Sequence, residues 1–438
     1  MYAHFRTWSV GIIAGVLLVL MLSFSTIAAE EVPSSPLDLT FNEPNGYALW
    51  HTPNASQDRN LEMVIQKDGK ILLGGYTNDT RQKDIHILRY LSDGTPDPSF
   101  GDGGQILYSG DEGKDDYAFG LTLDADDNIL ISGREHNGHD SDILLLKCTP
   151  DGTPDETFGD NGTVRYAGQG SGTDSGRGVV VQQDGKIVVC GEVNVSSHKE
   201  LAVLRYTSNG TPDPDFASGG VFLLGKLGGK ESYGYASALD MEENILVTGA
   251  VTIDKKVGIG LLRLHGNGTV DTTFGQRGVA IWNGSTGGPD YGNWITVTPE
   301  GKILVTGVET DSSGSFDIIL LRFNQDGTLD TAFGENGVAR FGGSGYDYAW
   351  GQTIMPDGRI IIAGTSLVNG LQTPILIRLT QDGKPDSSFG TNGVTSFETI
   401  GIGPLYAVHH DNAGKILASG YITEEDTDLG LLLRMNIE

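Results

Sequence analysis

The chain has little cysteine, little positive charge and almost no long apolar run. Two cysteines among 438 residues exclude a disulfide framework. Lysine and arginine total 29 against 57 aspartates and glutamates, a formal net charge of −28. That deficit excludes the basic footprint that nucleic acid or an anionic membrane surface demands. The one apolar run of any length, Val10 to Phe24, covers 15 residues, short of the ~20 that a bilayer core requires. It lies between Arg6 and the small residues Ser25, Thr26, Ala28 and Ala29, the layout of a secretory signal peptide. A signal peptide over 1–29 and a short linker over 30–36 are therefore expected. The product is expected to be secreted or periplasmic, with no membrane insertion after cleavage.

What the chain has in excess is glycine, 64 residues, and an internal repeat. The segment Asp93-Gly94-Thr95-Pro96-Asp97-Pro98-Ser99-Phe100-Gly101 recurs with variation. Its phenylalanines are Phe41, Phe100, Phe158, Phe216, Phe274, Phe333 and Phe389. A second marker, Asp68-Gly69-Lys70-Ile71, returns in step with the first, followed by glycines at 75, 133, 191, 249, 307, 364 and 420. Within one unit, Tyr117 to Leu123, Asn128 to Gly133, Asp142 to Cys148 and Thr163 to Ala167 are short β-branched, aromatic and aliphatic runs parted by turn residues,. Each unit thus predicts a four-stranded antiparallel meander, A-B-C-D, with two faces to bury. Stacking such sheets around an axis buries both. An all-β fold follows, a seven-bladed β-propeller over 37–438. The C-terminus ends in a strand C at Leu433 to Met435, and Gly46 to Thr52 supplies a strand D with no A, B or C before it. The segment 37–52 is therefore expected to close the ring through the last blade.

The combination Asp-Gly-Lys-Ile-x-x-x-x-Gly, then Leu-x-Arg, then Asp-Gly-x-x-Asp-x-x-Phe-Gly resembles the bacterial delta-60 repeat. The resemblance implies a propeller-like exported repeat protein and carries no catalytic residues with it. The third unit departs with Ala217 after its phenylalanine, the fourth with Glu243 in place of a turn glycine. Cys148 and Cys190 stand where other units place apolar or small residues, so buried free thiols are expected rather than a bridge.

Asp58, Asp116, Asp174, Asp290 and Asp347 all precede strand A; Ser232 and Gly403 take that place in the other two units. If A is innermost, they ring one channel mouth, and converging oxygens suit a hard cation such as calcium. The competing reading makes each a cap of its own turn or of a neighbouring blade's backbone. Tyr117, Tyr291 and Tyr348, with Tyr233, Trp294 and Trp350, follow these acids; they suit a glycan or peptide ligand, or blade-to-blade packing. Strand C ends in Arg89, Lys147, Arg205, Arg263, Arg322, Arg378 and Arg434, each expected to reach a carboxylate of the following turn, such as Asp97, or of an adjacent blade. His409 and His410 point to opposite faces of one strand. His136, His139 and Asp140 lie in a polar loop, a set that zinc could use only if they converged. No Gly-x-Ser-x-Gly elbow occurs, and no catalytic residue is assigned. The expected function is that of a monomeric, non-enzymatic binding or scaffold module for protein, glycan or cation. The alternative is a polysaccharide hydrolase or lyase acting at the channel mouth.

Overall fold

The repeat's strand signals fold as their spacing implies. The computed structural model describes residues 36–78, 82–110, 113–225, 231–253, 256–343 and 345–437; the signal peptide expected over 1–29 and the expected linker up to residue 35 lie outside the described residues. Among the described residues no helix forms, and seven four-stranded antiparallel sheets account for the fold. Strand A of each blade touches strand A of the next, from Asp58–Ile65 through Tyr117–Leu123, Ser175–Val181, Ser232–Leu239, Tyr291–Val297 and Tyr348–Ile354 to Leu405–His410 and back. The chain is a closed seven-bladed β-propeller with its A strands innermost. Tyr47–Trp50 pairs with Thr427–Met435 in the register Tyr47↔Leu433 to Trp50↔Gly430, completing the last blade from the N-terminal side.

Strands B and C are buried on both faces; Ile71–Thr77 and Asp84–Tyr90 are buried at every residue. A strand sandwiched between two neighbouring sheets has no solvated face, so it reads as a continuous apolar run rather than an alternation. The core is accordingly a series of inter-blade layers. Leu72, Ile85, Ile87 and Phe100 of the first blade pack on Ala118, Ile129, Ile131 and Leu144 of the second.

The Phe-anchored turn joins those layers. Arg89, at the end of strand C, donates from Nε to Asp97 Oδ2 at 2.9 Å, and its guanidinium lies 4.5 Å from the Phe100 ring centroid. The same guanidinium donates to the Pro150 carbonyl of the next blade at 2.5 Å. The Gly101 N–H donates to Asp151 O of that blade at 2.9 Å. Phe100 itself is fully buried against Gly152, where a Cβ would come within 2.8 Å of the ring. The latch recurs at the other junctions, with Arg to Asp distances of 2.9 Å at 205–213, 2.6 Å at 263–271, 2.9 Å at 322–330 and 2.8 Å at 378–386. Lys147 is the variant, 3.6 Å from Asp155. At the seam the N-terminal segment supplies the parts: Arg434 pairs with Asp38 at 2.9 Å and lies 4.6 Å from the Phe41 centroid. Burial desolvates Asp38, yet hydrogen bonds from Thr40 and Lys415 and the Arg434 charge hold its carboxyl at about 2. The strand C cation thus reaches the carboxylate of the following turn, and strand C closes on the turn after it.

Cys148 and Cys190 are free and buried; burial pushes the Cys190 thiol up to about 11. The two departures from the repeat keep the backbone of their neighbours. Ala217 holds φ of 44°, close to the 49° of Gly101 and 55° of Gly159, and Glu243 holds 62°. A left-handed residue with a Cβ is strained by about 1–2 kcal/mol, of which the greater chain entropy of an unfolded glycine offsets roughly half. Ala217→Gly is expected to raise the unfolding free energy by about 0.5–1 kcal/mol in urea titration; an unchanged or lowered value would show that this turn carries no strain.

Candidate functional site

Strand A builds the mouth of the channel through a bulge. In every blade the A–B register slips by one residue, between Asn60 and Glu62, Ala118 and Gly120, Gly176 and Gly178, Gly234 and Ala236, Gly292 and Trp294, Ala349 and Gln352, and Leu405 and Ala407. The slip presses the strand A carbonyl onto strand B. A Cβ on Gly75 would overlap the Arg59 oxygen, and one on Gly133 the Tyr117 oxygen. This is the physical demand behind the glycine that marks each unit. Residues one and three places after the aspartate share one face of strand A, and that face is turned to the axis. Arg59 and Leu61, Tyr117 and Phe119, Arg177, Tyr235, Tyr291 and Asn293, Tyr348 and Trp350, and Tyr406 together line a cavity of about 610 Å³ to which all seven A strands contribute.

The five aspartates do not enter it. Each is buried where the chain crosses from strand D of one blade to strand A of the next, and its oxygens are taken up by backbone donors. Asp116 accepts from the Gly110 N–H at 2.7 Å and the His136 N–H at 3.0 Å. Asp290 accepts from Gly284 at 2.6 Å and Thr310 at 3.1 Å, and Asp347 from Gly343 at 3.0 Å and Leu367 at 3.1 Å. Asp174 accepts from the Gly168 and Asn194 N–H groups at 2.5 and 2.6 Å. Asp58 takes both the N–H and the hydroxyl of Thr52 at 2.8 Å. Burial pushes the Asp116, Asp174 and Asp290 carboxyls above the usual range in spite of these bonds. Their oxygens point into the crossovers and do not converge on the axis. Among the described residues no cluster of three or more His, Cys, Asp or Glu has the arrangement of a metal site. His136 Nδ1 accepts from the Gly138 N–H and Asp140 from the Gly172 N–H, so that polar loop is held by its own bonds.

Tyr117, Tyr291 and Tyr348 do meet at the mouth, within a near-continuous run of rings. From the exposed rim residue Tyr346, the run passes to Tyr348 at 6.4 Å, Trp350 at 5.7 Å, Tyr406 at 4.6 Å and Tyr421 at 6.0 Å between centroids. Three guanidiniums interleave with the aromatics. Arg59 pairs with Asp428 at 2.6 Å and lies 4.3 Å from the Tyr421 centroid. Arg177 pairs with Glu192 at 3.1 Å and covers Phe119 at 4.4 Å. Arg134 lies 4.2 Å from the Tyr117 centroid, and among the described residues no carboxylate pairs with it. Among the described residues one carboxyl lines the cavity, Glu62. Burial pushes it up to about 8, and its hydrogen bond is from the Met63 N–H at 2.9 Å. His409 lies farther along strand A of the last blade, where burial and then the His410 charge lower it to about 4.

Phe119, Arg177, Tyr235, Asn293 and Tyr406 escape the sequence reading, which follows the residue beside each aspartate, although the residue two places farther on shares its face of the strand. Arg134 and Tyr76 had a signal: each follows the strand B glycine, and the register pairs that position with the residue after the aspartate, as in Tyr117↔Arg134 and Arg59↔Tyr76.

Segments 66–100, 182–216, 244–274, 298–333 and 356–389 match the family described as "Domain of unknown function (DUF5122) beta-propeller". Each match ends on the latch phenylalanine. The chain is a β-propeller repeat protein. No curated protein matches it. Similar solved structures include a protein of unknown function from Dyadobacter fermentans at 13% identity and a TM-score of 0.46, covering 90% of this chain and 100% of that one. They also include a glucose dehydrogenase at 15% identity and a TM-score of 0.36, covering 73% and 96%. A Trypanosoma rangeli sialidase follows at 9% identity and 0.43, covering 89% of this chain and 59% of that one.

The buried aspartates make a separable prediction. Asp116→Asn puts an amide N–H₂ or a weaker acceptor against two backbone donors, and is expected to cost about 1–3 kcal/mol. The loss should be the same in calcium and in EDTA by thermal melting. A loss seen only with calcium present would assign these carboxylates to a cation.

Proposed function

We propose that this β-propeller repeat protein is an exported, monomeric binding module whose ligand is a saccharide held at the aromatic mouth of the central channel. The observation that carries this reading is the run of rings from Tyr346 at the rim through Tyr348 and Trp350 to Tyr406 inside. Ring faces bear partial negative charge, and the C–H faces of a sugar present the complementary partial positive charge at the same spacing. The cavity's 610 Å³ lies within the usual small-ligand range of ~300–1,000 Å³. Asn293 and the hydroxyls of Tyr291 and Tyr348 provide the few polar groups that fix orientation in such a site.

The alternative, a polysaccharide hydrolase or lyase, draws support from Glu62, a carboxyl in the same cavity that is protonated at neutral pH, as a general acid must be. Glycoside hydrolysis ordinarily needs a second carboxyl across the scissile bond, roughly 5–10 Å away. Glu62 has no such partner in the described lining, so binding without turnover is the better reading.

Calorimetric titration with a panel of plant and microbial hexasaccharides tests the proposal. Binding by the parent protein is expected, weakened about tenfold or more, ~1.4 kcal/mol, in Trp350→Ala. Reducing ends should not appear on long incubation. No binding across the panel would sink the saccharide reading, and release of reducing ends abolished by Glu62→Gln would replace it with the enzyme.

A further inference from the structure

We infer that the saccharide taken at this mouth is anionic and that Arg134 holds its carboxylate or sulfate group. The inference rests on the saccharide reading above and names its chemical class. Its starting point is a mismatch of charge. Acidic residues outnumber basic ones 57 to 29 along the chain, yet the cavity is lined by Arg59, Arg134 and Arg177 against the single carboxyl of Glu62. Burial raises that carboxyl to about 8, so at neutral pH it cancels little of the positive charge.

Two of the three guanidiniums are already neutralised within the protein, Arg59 by Asp428 and Arg177 by Glu192. Arg134 is not. It projects from strand B opposite Tyr117, its plane held over that ring at 4.2 Å and near Phe119 at 5.7 Å. Among the described residues its buried Nε has no hydrogen-bond acceptor. A buried donor left unmade is unfavourable, and a planar guanidinium fork fits a carboxylate or sulfate with two parallel N–H···O bonds. An anion on a sugar ring stacked along Tyr117, Tyr348 and Trp350 would pair with the guanidinium where it lines the cavity.

The acidic exterior repels such a ligand only at distance. At ~0.15 M salt that field is screened beyond about 8 Å, whereas a contact ion pair inside a half-enclosed cavity is screened far less. The local guanidinium decides the outcome.

Titration of the full chain with three hexasaccharides of equal length, one bearing uronate carboxylates, one sulfated and one neutral, tests the inference. At least one acidic hexamer is expected to bind ten times or more tighter than the neutral one, with the preferred acid naming the group. Arg134→Gln should collapse that ratio toward one, and Arg134→Lys, which keeps the charge but not the fork, should retain part of it. Melting temperatures of both variants report that the fold is intact. Neutral and acidic hexamers binding equally well would overturn the inference and leave the saccharide reading standing. Equal losses for all hexamers in Arg134→Gln would also overturn it, making the residue part of the wall that supports Tyr117. No binding by any hexamer would remove both readings together.

Discussion

The wedge of one phenylalanine between two blades, held by an arginine that both stacks on it and pairs with an aspartate, is the contact on which the molecule depends. A single four-stranded sheet of this sequence has two apolar faces and cannot stand alone. The latch fixes the angle and distance at which the next sheet covers it. Three features of the repeat answer to that one contact: the phenylalanine fills the gap, the aspartate neutralises the cation taken out of water, and the glycine of the following unit leaves room for the ring. A buried ion pair is seldom worth much on its own against the desolvation it suffers. Here the arginine also donates across the junction to the neighbouring blade's carbonyl, so its burial joins two sheets as well as satisfying one turn.

With the blades locked at that spacing, little freedom remains for strand A. The aspartate at its start is occupied by backbone donors from the crossover, and the strand B glycine admits the carbonyl that the bulge pushes outward. What is left to vary is the pair of side chains on either side of the bulge and the strand B residue opposite them. Those positions hold arginine, leucine, tyrosine, phenylalanine, asparagine and tryptophan in different blades. Identity from blade to blade therefore marks assembly, and difference marks the lining of the cavity. The repeated aspartates and the varied residues three places after them exemplify the two.

The fold was legible because its signals are periodic. Phenylalanine spacing gives the number of blades, and the truncated last unit with an orphan strand D at the start points to where the ring joins. The arginine partner in the following turn was readable for the same reason, since a local carboxylate recurs beside every one. Tyr117, Tyr291 and Tyr348 were legible as mouth residues once strand A was taken as innermost. The aspartates were harder to read: their acceptors' partners are main-chain N–H groups six residues before and twenty after, as for Asp116 and Asp290, and a backbone donor has no sequence signature. Phe119, Arg177 and Tyr406 share the face of the residue two places before them by the strand's period of two, but they differ in type from blade to blade and so carry no repeat signal. Arg134 was hidden by distance along the chain, although the strand register places it directly opposite Tyr117.

The most direct test of this account is the unfolding free energy of seven single variants in which each latch phenylalanine, from Phe41 to Phe389, is cut to alanine. If the latch is what holds every junction, each costs about 3–5 kcal/mol, the range for an aromatic removed from a packed core. The seam variant Phe41→Ala should then lose as much as the interior ones. Losses near zero at most junctions, with one junction carrying nearly all of the stability, would contradict it.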